Sequence, residues 1–143
     1  QFGLLAALRD EGKIRFVGIS EVGVDDIERA QRHVDVATVQ NRYNLADRAS
    51  DGVLRFCTEQ GIGFLPWHPI ASGDLAKPGG PVAELAERLG VSPARIALAW
   101  LLQRSSVMLP IPGTSSLEHL EDNCAATSLA LDLEAVEKLD VAY

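Results

Sequence analysis

The sequence predicts an α/β protein, a parallel β-sheet covered by helices. Short apolar runs of strand length recur four times, and each is followed by a segment whose apolar residues are spaced for a helix. The runs are near-continuously apolar rather than alternating, the pattern of strands buried on both faces.

The elements follow in order. Leu4, Leu5 and Leu8 read as the apolar face of a helix already in progress at Gln1, so the chain is expected to be entered midway, and Gly12 is its expected C-cap. Ile14 to Ile19 is the first expected strand. Val24, Ile27 and Ala30 mark a helix over Val24 to His33, with Asp25 and Asp26 in the first turn where the helix dipole favours acids. Val34 to Gln40 is the second strand, closing on the polar cluster Gln40, Asn41 and Arg42. A helix from Ser50 to Gln60, ended by Gly61, leads to the third strand, Ile62 to Trp67, where Pro66 predicts an irregular ladder. Pro69 to Pro81 is a loop, and loops of that length inside compact domains are more often functional than idle. Helices over Val82 to Leu89 and Ala94 to Gln103 come next, the latter with Ser92 as N-cap and Pro93 at its first position. Val107 to Ile111 is the fourth strand. Ser115 and Glu118 stand at capping-box spacing for a further helix, and Leu133 to Leu139 forms the last one after Asp132. Two architectures fit this order: an open doubly wound sheet, or about half of a (β/α)8 barrel of the TIM type, whose full length is about 250 residues.

Composition narrows the function. The 143 residues carry 13 Lys+Arg against 20 Asp+Glu, a net charge of −7, which argues against nucleic acid or an anionic membrane surface as a partner. Apolar stretches such as Ile96 to Leu102 are far shorter than the ~20 residues of a membrane span. Cys57 and Cys124 lack CxxC or metal-ligand spacing and are expected as reduced, buried thiols of a cytoplasmic protein. His33, His68 and His119 lie on separate elements without HExxH spacing, so no metal site is expected. GxGxxG, GxxxxGK[ST] and GxSxG are all absent.

In parallel α/β folds functional groups gather at the carboxyl ends of strands. Here those ends are Ser20-Glu21, Gln40-Asn41, Trp67-His68 and Pro112-Gly113-Thr114. Ser20 and Gln40 offer a hydroxyl and a carboxamide suited to orienting a planar amide, and Trp67 offers a flat face for stacking a ring. Trp100, in mid-helix, reads as core. Gly113 to Ser116 place small residues and hydroxyls at a helix N-terminus, where phosphate binds readily.

Five ordered segments, GKIRFVGIS (12–20), VQNRYNL (39–45), GIGFLPWHPIASGDL (61–75), SPARIALAWLL (92–102) and IPGTSSLEHLEDN (111–123), resemble the C-terminal half of the aldo-keto reductase family. The resemblance implies strands five to eight of a (β/α)8 barrel over residues 1–143, binding NADPH, or alternatively NADH, and reducing aldehydes or ketones to alcohols. It implies that Ser20 and Gln40 hold the nicotinamide carboxamide and that Trp67 stacks on the ring. His68, Pro69, Ile70, Ala71, Ser72 and Leu75 fall on the pyrophosphate loop. Ile111, Gly113, Thr114, Ser115, His119, Asp122 and Asn123 fall on the segment that holds the adenosine end.

Three departures stand out. Glu21 occupies a position where many members have Asn, and Gly113 and His119 replace the Lys and Arg that clamp the 2′-phosphate in many relatives. No residue matches the family's catalytic Asp, Tyr, Lys and His, which lie on the first four strands. The expected partners are therefore a small carbonyl substrate and the other half of the barrel. A stand-alone half-barrel that pairs with itself or another chain as a non-catalytic nucleotide-binding or regulatory module is the alternative, and in either case the isolated chain is expected to associate.

Overall fold

The structure, a computed structural model, describes residues 1–71, 75 and 78–143. Three parallel strands form its sheet in the order β1-β2-β3: β1 (Val17–Ser20), β2 (Val36–Arg42) and β3 (Gly63–Trp67). Seven α-helices accompany them among the described residues: α1 (Phe2–Asp10), α2 (Val24–Gln31), α3 (Asp51–Gln60), α4 (Pro81–Leu89), α5 (Pro93–Arg104), α6 (Leu117–Ala125) and α7 (Leu133–Ala142).

Most caps follow the sequence. Gly12, Gly61 and Gly90 take positive φ values of 72°, 68° and 66° just past their helices, where a side chain would be strained. Ser92 Oγ accepts from Arg95 N at 3.0 Å, and Asp132 Oδ1 accepts from Ala135 N at 2.8 Å. At α6 the cap is Ser116 rather than Ser115: its Oγ accepts from His119 N at 3.3 Å, so the capping box expected with Glu118 does not form.

The fourth predicted strand is the larger correction. Val107 to Ile111 contributes one parallel bridge, Phe64 to Met108, held by Phe64 N donating to Val107 O and Leu109 N donating to Phe64 O, each at 2.8 Å. Pro110 and Pro112 have no N–H to continue the ladder. Pro66 lies on the same side of β3 as Phe64, so its missing donor falls where that pairing has already stopped. Toward β2 the register runs unbroken through Asn41↔Pro66 to Arg42↔Trp67, and the irregularity expected from Pro66 is absent there. The first strand also starts late, at Val17, because Ile14 is still bonded to Leu8 O at the end of α1 and Arg15 and Phe16 are exposed.

Helices cover one face of the sheet. Val39 and Phe64 point into it and are fully buried with Ile27, Cys57, Ile96 and Trp100. Burial pushes the Cys57 thiol up to about 11, whereas Cys124, expected to be buried too, is exposed on α6. Tyr43, fully buried just past β2, stacks on Trp100 at 6.1 Å and meets Phe64 edge-on at 5.8 Å. The outermost helix is tied down by Asp140 of α7, which accepts from Trp100 Nε1 at 2.9 Å and from Arg48 and Arg104 at 3.2 Å each. No helix among the described residues is long and apolar enough to cross a membrane.

Replacing Asp140 strands the buried Trp100 N–H and two guanidinium groups. Asp140→Ala is expected to lower stability by about 2 kcal/mol in urea unfolding, with Asp140→Asn recovering part of the loss. A midpoint unchanged in Asp140→Ala would contradict the assigned tie. A second outcome concerns Tyr43, whose hydroxyl donates to Asp51 Oδ1 at 2.6 Å. Burial, reinforced by that carboxylate, raises its pKa above the ordinary 10.0. The folded chain thus keeps a proton that the unfolded chain loses, and the stabilisation present below pH 10.0 falls away as the pH rises above it. Tyr43→Phe is expected to flatten the alkaline limb of the stability profile, and an unaltered slope would count against this origin.

Candidate functional site

Side chains alternate across a strand, so the register settles which of them share a face. Gly18, Thr38 and Gly63 form one row across the sheet, and Ser20, Gln40 and Leu65 form the next. Arg42 and Trp67 form the last row at the carboxyl ends of their strands. These rows lie opposite the helix-covered face. Space at their base is tight: a Cβ on Gly18 would sit 2.4 Å from Thr38 Oγ1, and one on Gly63 would sit 3.2 Å from Leu109 Cδ1.

The strand ends bring Ser20, Gln40 and Trp67 together as expected. Ser20 Oγ donates to Gln40 O at 2.8 Å, which leaves its lone pairs to accept from elsewhere. The Gln40 side-chain amide has no hydrogen-bond partner among the described residues. Trp67 is half-buried, and its indole Nε1–H donates to Glu21 Oε1. The Arg42 guanidinium lies 5.6 Å from the Trp67 ring centre and pairs with Asp47 at 3.1 Å.

Sequence reasoning left out the groups that hold this end in place. Asn41, 5% exposed, presents its side chain as a substitute backbone: Nδ2 donates to Val22 O at 2.8 Å and Oδ1 accepts from Val22 N at 3.1 Å. Asn44, 1% exposed, donates to His68 O at 3.1 Å. Two asparagines in VQNRYNL, set between the apolar Val39, Tyr43 and Leu45, were the available signal, since buried amides persist only where they are bonded. Glu21, His68 and Ala71 adopt φ values of 53°, 61° and 48°, a region that non-glycine residues enter at a cost and that clusters at functional sites.

A second group of predicted residues lines a cavity of about 250 Å³. Ile70, Gly113, Thr114, His119, Asp122 and Asn123 meet there with Ser92, Pro93 and Ala94. Its floor is fixed by Asp122, which accepts from Ser92 Oγ and, at 2.9 and 2.5 Å, from Arg95 Nε and Nη2. The His68 to Ala71 segment leads from Trp67 to this cavity. Other predicted residues fall elsewhere. Pro69, Ala71 and Leu75 are buried and do not line that cavity. Ile111 lines a separate apolar groove of about 390 Å³ with Leu98, Leu102 and Leu120, and Ser115 is exposed and lines neither cavity. Ser72 lies outside the described residues. A further cavity of about 490 Å³ sits between α3 and the end of α5 beside Asp51, Arg55 and Arg104, away from the strand ends.

Comparison with known proteins identifies the family of the chain. The family model of the Aldo/keto reductase family matches residues 1–143. A Schizosaccharomyces pombe protein described as an uncharacterized oxidoreductase is 51% identical over 140 residues, covering 98% of this chain and 46% of its own length. Pyridoxine 4-dehydrogenase of Escherichia coli is 37% identical over 137 residues, covering 96% of this chain and 48% of its own length. The crystal structure of an aldo/keto reductase from Klebsiella pneumoniae in complex with NADP and acetate superposes with a TM-score of 0.86 at 30% identity, over 96% of this chain and 51% of that one. The chain spans about half the length of the curated relatives it matches.

Asn41 generates the structural test of the site. Asn41→Ala leaves the Val22 amide and carbonyl without their partners and is expected to cost about 2 kcal/mol of unfolding free energy. Asn41→Asp, which keeps only the acceptor, is expected to fall between. Wild-type stability in the Ala variant would show that Asn41 does not hold the β1–α2 loop.

Proposed function

Since the chain belongs to the aldo/keto reductase family, we propose that residues 1–143 are the cofactor-holding half of a barrel that interconverts a carbonyl and an alcohol with NADP(H). NAD(H) is the alternative cofactor. The observation that carries this reading is the gathering of Ser20, Gln40 and Trp67 at the carboxyl ends of neighbouring strands, Ser20 and Gln40 in one row and Trp67 in the next, with the Gln40 amide unpaired among the described residues.

The residues present suit the group. Gln40 supplies a free carbonyl oxygen and a free NH2, and Ser20 a lone pair, a set complementary to a planar carboxamide. Trp67 supplies a half-buried ring face fixed by its own hydrogen bond. The cavity beside Gly113, Thr114 and His119 at the start of α6 offers hydroxyls and helix N–H groups to the nucleotide end. When bound, the nicotinamide donates or accepts the hydride. Ser20 and Gln40 then orient the carboxamide, Trp67 holds one ring face and excludes water from it, and Asp122 keeps the nucleotide cavity in shape. That cavity is lined by His119 and by no Lys or Arg among the described residues, so weak discrimination between NADPH and NADH follows.

The family resemblance implies a proton-donating Tyr on the first four strands, and no residue of this chain matches it. Tyr43 is fully buried with its hydroxyl on Asp51, on the helix side of the sheet. The proton donor is therefore assigned to the strands that complete the barrel. The second reading, a non-catalytic nucleotide-binding half-barrel that pairs with itself or another chain, has one observation in its favour. Phe16, Leu109 and Ile111 are 75%, 51% and 42% exposed, apolar surface that a partner would cover.

In the protein as expressed from its gene, titration with NADPH and NADH is expected to quench tryptophan fluorescence. Gln40→Ala should weaken both nucleotides by about tenfold, and Trp67→Ala should weaken them while removing most of the quench. NADPH consumption with a simple aldehyde distinguishes the two readings, because binding without turnover favours the non-catalytic one. Absence of binding in the wild type would overturn both.

A further inference from the structure

Glu21 does something that neither its strand nor the proposed carboxamide contacts require. Its backbone is held at φ 53° by its own amide, which donates to Gln40 O at 3.0 Å. Its side-chain Oε1 accepts from the backbone N–H of Arg42 at 3.0 Å and from the indole Nε1–H of Trp67. One carboxylate oxygen thus joins the carboxyl ends of β1, β2 and β3. It uses the only donor that the indole possesses, which fixes the ring in its plane.

The charges around it are unequal. The Arg42 guanidinium over the Trp67 ring is paired with Asp47 at 3.1 Å, while Glu21 has no cationic partner among the described residues. Its two hydrogen bonds come from neutral donors. A carboxylate without a counter-ion among the described residues is therefore attached to the rim of the ring proposed to stack on nicotinamide.

We propose that Glu21 is a positioning residue that also sets the charge of this pocket, orienting Trp67 and favouring the oxidised, cationic form of the cofactor ring over the reduced, neutral form. The inference rests on the reading that Trp67 lies against that ring. Ser20 and Gln40 are neutral and meet a carboxamide that is the same in both redox states, so they cannot separate the two. A fixed negative charge about one indole away acts on the cationic form alone, and beside a half-buried ring it is screened less than in bulk water. By linkage, a preference for the oxidised form raises its affinity relative to the reduced form and biases the bound couple toward it.

The test measures dissociation constants for NADP+ and NADPH separately, in the protein as expressed from its gene, for the wild type, Glu21→Gln and Glu21→Ala. Glu21→Gln keeps an oxygen that accepts both N–H groups and removes only the charge. It is expected to weaken NADP+ roughly five- to tenfold and to leave NADPH within about twofold. Glu21→Ala releases the indole as well and is expected to weaken both. Asp47→Asn frees the Arg42 cation above Trp67 and is expected to shift the NADP+ to NADPH ratio in the same direction as Glu21→Gln, which keeps the test decisive if a Glu21 variant does not fold. An unchanged ratio in Glu21→Gln, or equal weakening of both nucleotides, overturns the proposal while leaving the cofactor site intact. A wild type that binds neither nucleotide fails the underlying reading instead, and the proposal with it.

Discussion

Everything at the functional end of this protein depends on the parallel register of β1, β2 and β3. With a side-chain period of two, a slip of one residue in β2 would turn Gln40 and Arg42 into the helix layer and bring Val39 and Asn41 to the other face. The register is held by packing on both faces. On the covered face Val39 and Phe64 are fully buried against helices that cannot accept polar side chains. On the other, Gly18 and Gly63 flank Thr38 so closely that even one added methyl group would crowd its side chain. The row of small residues below thus fixes the height of the row Ser20, Gln40 and Leu65 above.

The late helices are fastened by carboxylates rather than by apolar contact alone. Asp122 on α6 gathers Ser92 and Arg95 from the start of α5, and Asp140 on α7 gathers Trp100 and Arg104 from its later turns together with Arg48 after β2. Each is about a quarter exposed, so each ion pair is partly screened, yet each also accepts a hydrogen bond from a neutral donor that the fold holds in place. The same α5 therefore carries the cavity beside His119 at its beginning and the core contacts of Tyr43 at its end. That is how a helix with Ile96 to Leu101 buried all round still takes part in a polar site.

Much of this was legible in the sequence because the signals were local. Helical spacing, Ser92 followed by Pro93, and the glycines after α1, α3 and α4 each specify backbone geometry within a few residues. The fourth strand was misread because periodicity alone gives no weight to Pro110 and Pro112, whose missing donors decide how far a ladder runs. Cys124 was misread for a related reason: its helix α6 packs weakly enough that none of its residues is buried, and helical spacing does not reveal how many faces are covered. The roles of Asn41, Asn44 and Asp122 were hidden because their partners lie 19 to 30 residues away and no spacing rule connects them. The nearness of Ser20, Gln40 and Trp67 was legible because the carboxyl-end rule converts three separate strand ends into one place.

The remaining constraint is the left-handed backbone at Glu21, His68 and Ala71. At Glu21 and His68 the chain turns sharply off a strand end, where glycine would be the easier residue, and the structure keeps a side chain instead. For Glu21 the reason is visible: the turn aims its carboxylate back across β2 to reach Arg42 N and Trp67 Nε1 at once, which an extended residue continuing β1 could not do. For His68 the turn directs its carbonyl to Asn44 Nδ2 and Ala71 N, so the loop leaves Trp67 toward the Ile70 cavity rather than continuing along the sheet. Strained turns and buried amides are thus two sides of one arrangement. The amides of Asn41 and Asn44 stabilise conformations that propensity disfavours, and those conformations keep the indole and the Ile70 cavity at opposite ends of a single short segment.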